Sequence, residues 1–308
     1  MAAALTDTPC TTLYAGLSGG ADSTALLLAL QAWRERCEAA GEATPQLVAL
    51  HVNHGLDGAA EAWEGHCGEL CARLNVPLRV HAASVSRHGN LEANARAARY
   101  GFFATQVQRD EALVLAHHRE DQLETLLLKL LQGRGMVAMA TRGRVQGMTV
   151  LRPFLSLAKR ALVAYVTTRD TAWVEDASNA DESFDRNYLR ARVLPALLAR
   201  WPDAPQRLRV VAEQSGAVRE ALVGELAARP DRVPLSKVPV ARAAAVAWLQ
   251  AYVAARGHHQ VTRKALEDFW DSVRAGQRAR CGIDPGAELR VERDHIVYRK
   301  EAAGRGSV

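Results

Sequence analysis

The chain has 308 residues, 48% of them hydrophobic, with 39 Lys+Arg against 34 Asp+Glu for a formal net charge of +5. That length accommodates two domains and a core that needs neither disulfides nor metals. Five scattered cysteines (Cys10, Cys37, Cys67, Cys71, Cys281) with no Cys-x-x-Cys pair argue against a disulfide framework, a zinc ribbon or an iron–sulfur site, and fit a reducing cytoplasm; secretion and membrane insertion are not expected.

Residues 13–17 form an apolar run that predicts a strand, and 24–30 an Ala/Leu-rich run that predicts a helix. Between them lies Ser18-Gly19-Gly20-Ala21-Asp22-Ser23. Two glycines let the backbone approach an anion, and the first N–H groups of the helix point at it. Hydroxyls of Ser18, Ser23 and Thr24 add donors. Asp22 beside phosphates implies a bridging divalent cation, Mg²⁺ with a nucleotide. The loop lacks the Gly-Lys-Ser/Thr of a Walker A motif.

Further strands are predicted at 47–52, 78–82, 113–116 and 149–151, with helical patterns between them. That alternation predicts an α/β fold with a doubly wound parallel sheet, whose ligands sit beyond the carboxyl ends of the strands. The segments at those ends are Ser18 to Ser23, His51-Val52-Asn53-His54-Gly55-Leu56, Ser84, 117–121 and Arg152. Asn53 and the two histidines are candidates to line a nucleotide pocket. Asn90 reads as an N-cap for a helix on which Arg96 and Arg99 are neighbours, able to meet phosphates or to pair with surface acids.

After the fourth run comes His117-His118-Arg119-Glu120-Asp121-Gln122-Leu123-Glu124-Thr125. Helical phasing puts Leu123, Leu126, Leu127, Leu130 and Leu131 on one apolar stripe, with His118, Asp121 and Thr125 opposite and Glu124 on the flank. Two carboxylates one turn apart suit a substrate ammonium, and the histidine suits proton transfer or a phosphate contact. Acids also favour the first turn of any helix through the dipole. Next come Trp173-Val174-Glu175-Asp176-Ala177-Ser178-Asn179 and an arginine-rich stretch: residues 186–210 hold Arg186, Arg190, Arg192, Arg200, Arg207 and Arg209 against Asp203 alone, which favours an anionic partner.

Pro202 and Pro205 mark a boundary, giving residues 1–202 as a catalytic domain and 203–308 as a smaller, mainly helical C-terminal domain. Segments 287–291 and 295–299 pair as a hairpin about Arg293-Asp294, and the tail 301–308 is expected to fray.

In order, these segments closely resemble the bacterial tRNA(Ile)-lysidine synthetase family: SGGxDS, HVxHGL, ExxARxxRY, HxxDQxET, Arg152-Pro153, WxEDxSN and RNxxRxxVxP. The first motif marks the wider PP-loop ATP pyrophosphatases, with a Rossmann-like fold. The resemblance is dense from residue 13 to 195 and implies ATP-dependent adenylation of the wobble cytidine in the CAU anticodon of tRNA(Ile), followed by attack of free L-lysine. It assigns Ser18, Gly19, Gly20, Ala21, Asp22, Ser23, His51 and Gly133 to ATP, with Asp22 as the Mg²⁺ ligand. Asp22, His118, Asp121 and Glu124 become the catalytic set, Asp121 and Glu124 receiving the lysine ammonium. Arg96, Arg99, Arg186, Arg190 and Arg192 would face the tRNA, and a homodimer is compatible with the pattern.

The family often has an arginine where this chain reads Gln132-Gly133-Arg134-Gly135, so Arg134 is the candidate to take its place. The second C-terminal domain of longer members is not expected here. Two alternatives stay open: a PP-loop tRNA thiolase, against which the scattered cysteines argue, and a non-catalytic nucleotide-gated tRNA-binding module. Ala2 after Met1 disfavours a glutamine-dependent amidotransferase.

Overall fold

The computed structural model describes residue 5 and residues 10–55, 60–83, 91–133, 136–175, 181–258, 261–284 and 286–300. Leu56, Ser84, Asn90, Arg134, Asp176 to Asn179 and the 301–308 tail lie outside them, as does the side chain of Glu92. The chain divides into two compact units, one holding Met1–Gln132 and Ala138–Val210, the other Gly133–Val137 and Val211–Val308.

In the first unit, strands β1 (Thr12–Gly16), β2 (Gln46–Asn53), β3 (Leu78–Ala82), β4 (Ala112–Val114), β5 (Arg142–Val145) and β6 (Met148–Leu151) form one sheet in the order β3-β2-β1-β4-β6-β5. All neighbours are parallel except β5, which runs antiparallel on β6. The helices are α1 (Ala21–Ala39), α2 (Ala60–Arg73), α3 (Leu91–Gln106), α4 (Arg119–Leu131) and α5 (Lys159–Thr167).

Side chains alternate across each strand, so Leu13 and Ala15 of β1 join one core and Tyr14 the other. The first core packs Leu26, Leu27, Leu30 and Trp33 of α1, Cys67, Leu70 and Cys71 of α2 and Leu162 and Val166 of α5 against the sheet. Tyr100 and Phe103 of α3 cover the other face. Burial on both faces is why the central strands β1, β2 and β4 read as continuous apolar runs, while the edge strand β3 is largely exposed. The order reverses between β1 and β4, opening the crevice that carries ligands in such sheets.

β5 was not expected from the sequence. Arg142 and Arg144 alternate with Gly143 and Val145 along it, the charged pattern of a protected edge strand, and Gln146 (φ 49) and Gly147 (φ 82) close a tight hairpin into β6.

Asp185–Tyr188 (α6), a π-helical turn at Leu189–Val193 and Leu194–Arg200 (α7) follow, then α8 (Ala204–Ala227). Trp201 and Pro202 separate α7 from α8, and the division between the units falls inside α8. The second unit adds α9 (Arg242–Ala254), α10 (Arg263–Arg274) and an antiparallel sheet in the order β7-β10-β9-β8, from Arg232–Pro234, His295–Lys300, Ala287–Glu292 and Arg280–Asp284. The expected hairpin is β9–β10, and Arg293 supplies its left-handed residue (φ 56) in place of a glycine. β7 and β8 extend it into a sheet that buries Leu289 and Ile296 on Tyr252, Phe269 and Trp270.

Candidate active site

The loop after β1 is shaped by its own serines. Ser18 N donates to Ser23 Oγ (3.1 Å), and Ser23 Oγ donates to the Gly20 carbonyl (3.0 Å), so the one Ser23 proton is spent holding the turn. Gly19 sits at φ +85, and a Cβ there would lie 3.3 Å from Cys67 Sγ. Glycine is thus required both by conformation and by space. Gly20 is the N-cap of α1, Ala21 its first residue, and the Thr24 hydroxyl is buried without a partner. His51 Nδ1 lies 2.9 Å from the Leu17 carbonyl and is buried, which fastens the end of β2 to the base of the loop.

Asp22 reaches from the first turn of α1 toward the start of α4. Its Oδ2 lies 3.6 Å from His118 Nε2, while Oδ1 is buried with no hydrogen-bond partner. That orphaned oxygen beside the glycine loop fits Mg²⁺, which typically takes one or two carboxylates and fills its shell with substrate phosphates and water.

His118 is the N-cap of α4 and only 2% exposed. Three carboxylates surround it: Asp22, Glu120 (Oε2 to Nδ1, 3.1 Å) and Asp121 (Oδ2 to Nε2, 3.4 Å). Burial works against the charged ring, but hydrogen bonds to Asp22 and Glu120 and the charges of Asp121 and Asp22 outweigh it and lift His118 to about 9. The ring is then an imidazolium at neutral pH, and its Nδ1–H donates to Glu120. The longer approach of Asp121 N to Nδ1 (3.4 Å) is a contact of the neutral ring only. Burial opposes ionisation of Glu120 too, yet His118 and the Lys159 N–H (2.9 Å) pull it down to about 2. Asp121 goes the other way: burial, with help from Glu124, holds it above its ordinary value despite His118 and Arg186.

Glu124 is completely buried. Arg186 Nε donates to Oε2 (2.7 Å), and Arg190 donates through Nε to Oε1 (2.8 Å) and through Nη2 to Oε2 (3.0 Å). The π-helical turn lies just beyond Arg186 and carries Arg190, and both guanidiniums also flank Asp121 Oδ1 at 3.5 and 3.8 Å. The expected polar flank of α4 is therefore sealed: the arginines compensate the Glu124 charge, and Gln122 is buried against Met139 through two 2.8 Å bonds. The apolar stripe is buried at Leu123 and Leu126, whereas Leu130 and Leu131 are 50% and 74% exposed.

A cationic margin adjoins these acids. Burial first, then Arg152, Arg186, Arg96 and Arg99, push His117 down to about 3, and burial with Arg99 and His51 takes His54 to about 4. Both rings are neutral, each with a buried, unpartnered Nδ1. Arg96 lies 4.6 Å over the Tyr100 ring, and Arg152 is buried, donating to the Ala140 carbonyl (3.0 Å). Arg192 stands apart, exposed and paired with Glu182 (2.9 Å). Gly133 (φ +64) follows the Gln132 cap of α4 and groups with the second unit.

The structure thus brings together Asp22, His118, Asp121, Glu124, Arg186 and Arg190, and adds Glu120, to which the sequence analysis gave no role. A family model for the PP-loop domain matches residues 1–197. A tRNA(Ile)-lysidine synthase from Salmonella dublin is 38% identical over 311 residues, covering 95% of this chain and 70% of the relative. The chain belongs to this family. Its member from Enterobacter sp. (strain 638) is 39% identical over 282 residues, covering 86% of the chain, which spans only 64% of that relative's length. Among solved structures, the U34-tRNA thiolase NcsA from Methanococcus maripaludis matches with a TM-score of 0.53 over 67% of this chain and 72% of its own, at 12% identity; that likeness establishes the fold alone. Lysidine synthase membership agrees with the cysteines: burial pushes Cys67 up to about 12 and Cys71 up to about 11, away from the reactive thiolate.

Proposed function

We propose that this chain uses ATP to adenylate the C2 carbonyl oxygen of the wobble cytidine in the CAU anticodon of tRNA(Ile), releasing diphosphate, and then joins the ε-amine of free L-lysine to C2 with loss of AMP. A base carbonyl is a poor electrophile until its oxygen becomes a good leaving group, which is what adenylation provides. The observation that carries this reading is the meeting of the Gly19 nest with Asp22, His118 and Asp121 at the sheet's switch point.

In the first step the Ser18 to Ser23 loop receives the phosphates on backbone N–H groups at the start of α1. Mg²⁺ held by Asp22 would neutralise their charge. The His118 imidazolium keeps Asp22 oriented and places a positive charge beside it. In the second step the incoming ammonium must lose a proton before it attacks. Asp121, raised by burial, is the base suited to take it. Glu124, neutralised by Arg186 and Arg190, stands behind Asp121 and meets the ammonium only as those guanidiniums shift. Arg96 and Arg99 face the polyanion. Residues 203–308 serve as a tRNA-binding domain, and the enzyme works in the cytoplasm; no helix among the described residues is long and apolar enough to cross a membrane.

The test follows diphosphate release and labelled lysine on tRNA separately. Wild type should release diphosphate only with tRNA and retain lysine on it. Glu124→Ala, with melting temperature as the control, should keep adenylation and lose lysine capture; equal loss of both steps in a variant that melts like the wild type would remove the division of roles.

A further inference from the structure

His66 of α2 takes no part in the steps above, yet it lies against the phosphate loop. From the position a Cβ would occupy on Gly19, His66 Cδ2 is 3.7 Å away and Cys67 Sγ 3.3 Å. The imidazole therefore lies against the loop at its left-handed residue through Cδ2, the ring carbon bonded to Nε2. Nε2 is buried and has no hydrogen-bond partner. The neighbouring polar groups are committed elsewhere: His51 Nδ1 to the Leu17 carbonyl, the Gly19 carbonyl to Val174 N–H (2.9 Å), and Asn53 Nδ2 to Glu64 (3.1 Å). A buried ring nitrogen without a partner, beside a loop whose Thr24 hydroxyl and Asp22 Oδ1 are likewise unpartnered, is a group awaiting a ligand.

The ligand chemistry follows from the place. Gly19 lets phosphate oxygens come close to the backbone, and an imidazole N–H beside them makes a charge-assisted bond to such an oxygen. We propose that His66 is a diphosphate-binding residue, its Nε2–H donating to a terminal phosphoryl oxygen of the nucleotide and remaining on the diphosphate after cleavage. This rests on the reading that the loop takes the phosphates.

Calorimetric binding of magnesium pyrophosphate, and separately of AMP, to the full chain tests it, with thermal melting of every variant. His66→Ala should weaken pyrophosphate about tenfold, the size of a lost hydrogen bond to a charged group, and leave AMP binding unchanged. His66→Gln, which presents an amide donor in the same direction, should recover most of that loss. If the alanine variant melts early, His66→Phe, which keeps the ring and lacks the donor, takes its place. Unchanged pyrophosphate binding in the variants overturns the proposal and leaves the loop reading intact. Equal weakening of AMP and pyrophosphate, or no recovery with glutamine, makes His66 structural and overturns it as well. Failure of the wild type to bind pyrophosphate removes the loop reading itself, and the proposal with it.

Discussion

Asp22 leaves one carboxylate oxygen buried and unpartnered while the other approaches His118. Asp22→Ala should lower tRNA-dependent diphosphate release by at least about a hundredfold, the scale of losing one preorganised electrostatic contact, with melting temperature held as the control. His118 gives a pH signature. Its folded value is raised from 6.5 to about 9, so the native state binds the proton more tightly than the unfolded chain. The stability it contributes is fully present below pH 6.5 and is lost as pH rises through about 9, amounting to about 3 kcal/mol. Urea unfolding across that range should show this slope in the wild type and a flatter profile in His118→Gln. An unchanged slope in the variant would refute the imidazolium. The candidates Asp22, His118 and Asp121 were legible because their motifs follow strand ends, where any side chain faces the crevice. Glu120 was not, because an acid at that helical position looks the same whether it binds a histidine or only the dipole.

At the level of elements, the phosphate loop depends on Gly19. Gly19→Ala forces a left-handed residue with a Cβ 3.3 Å from Cys67 Sγ, and should cost about 1–3 kcal/mol of stability together with nucleotide binding. Native-like stability with intact nucleotide affinity would contradict the geometry. The helical turns after residue 184 bring Arg186 and Arg190 onto Glu124. Arg190→Lys loses the two-pronged contact and should destabilise by about 1.5–3 kcal/mol in urea unfolding. Arg192→Lys, at an exposed pair, should leave the urea midpoint where it is in the wild type. The sequence showed these arginines as a basic stretch aimed at an anionic partner. That two of them turn inward could not be read from it, because their partner lies more than sixty residues away on another helix.

Across the whole molecule, each of the five expected runs is a strand, the central ones legible because strands covered on both faces become apolar runs, and the exposed edge strand β3 through its place between two helical patterns. Strands that pair antiparallel at edges carried weaker signals. β5 alternates arginine with small or apolar residues, and β7 is three residues long, so tertiary pairing rather than local pattern makes them strands. The second unit accordingly holds more sheet than the single hairpin anticipated. All of the proposed chemistry rests on α–β cleavage of ATP coupled to the base. The most direct measurement is single-turnover reaction of the purified chain with tRNA(Ile) bearing the CAU anticodon, labelled ATP and labelled lysine. Equal amounts of AMP and tRNA-bound lysine are predicted, with none on a tRNA carrying uridine at the wobble position; ADP as the product, or AMP without lysine transfer, would contradict it.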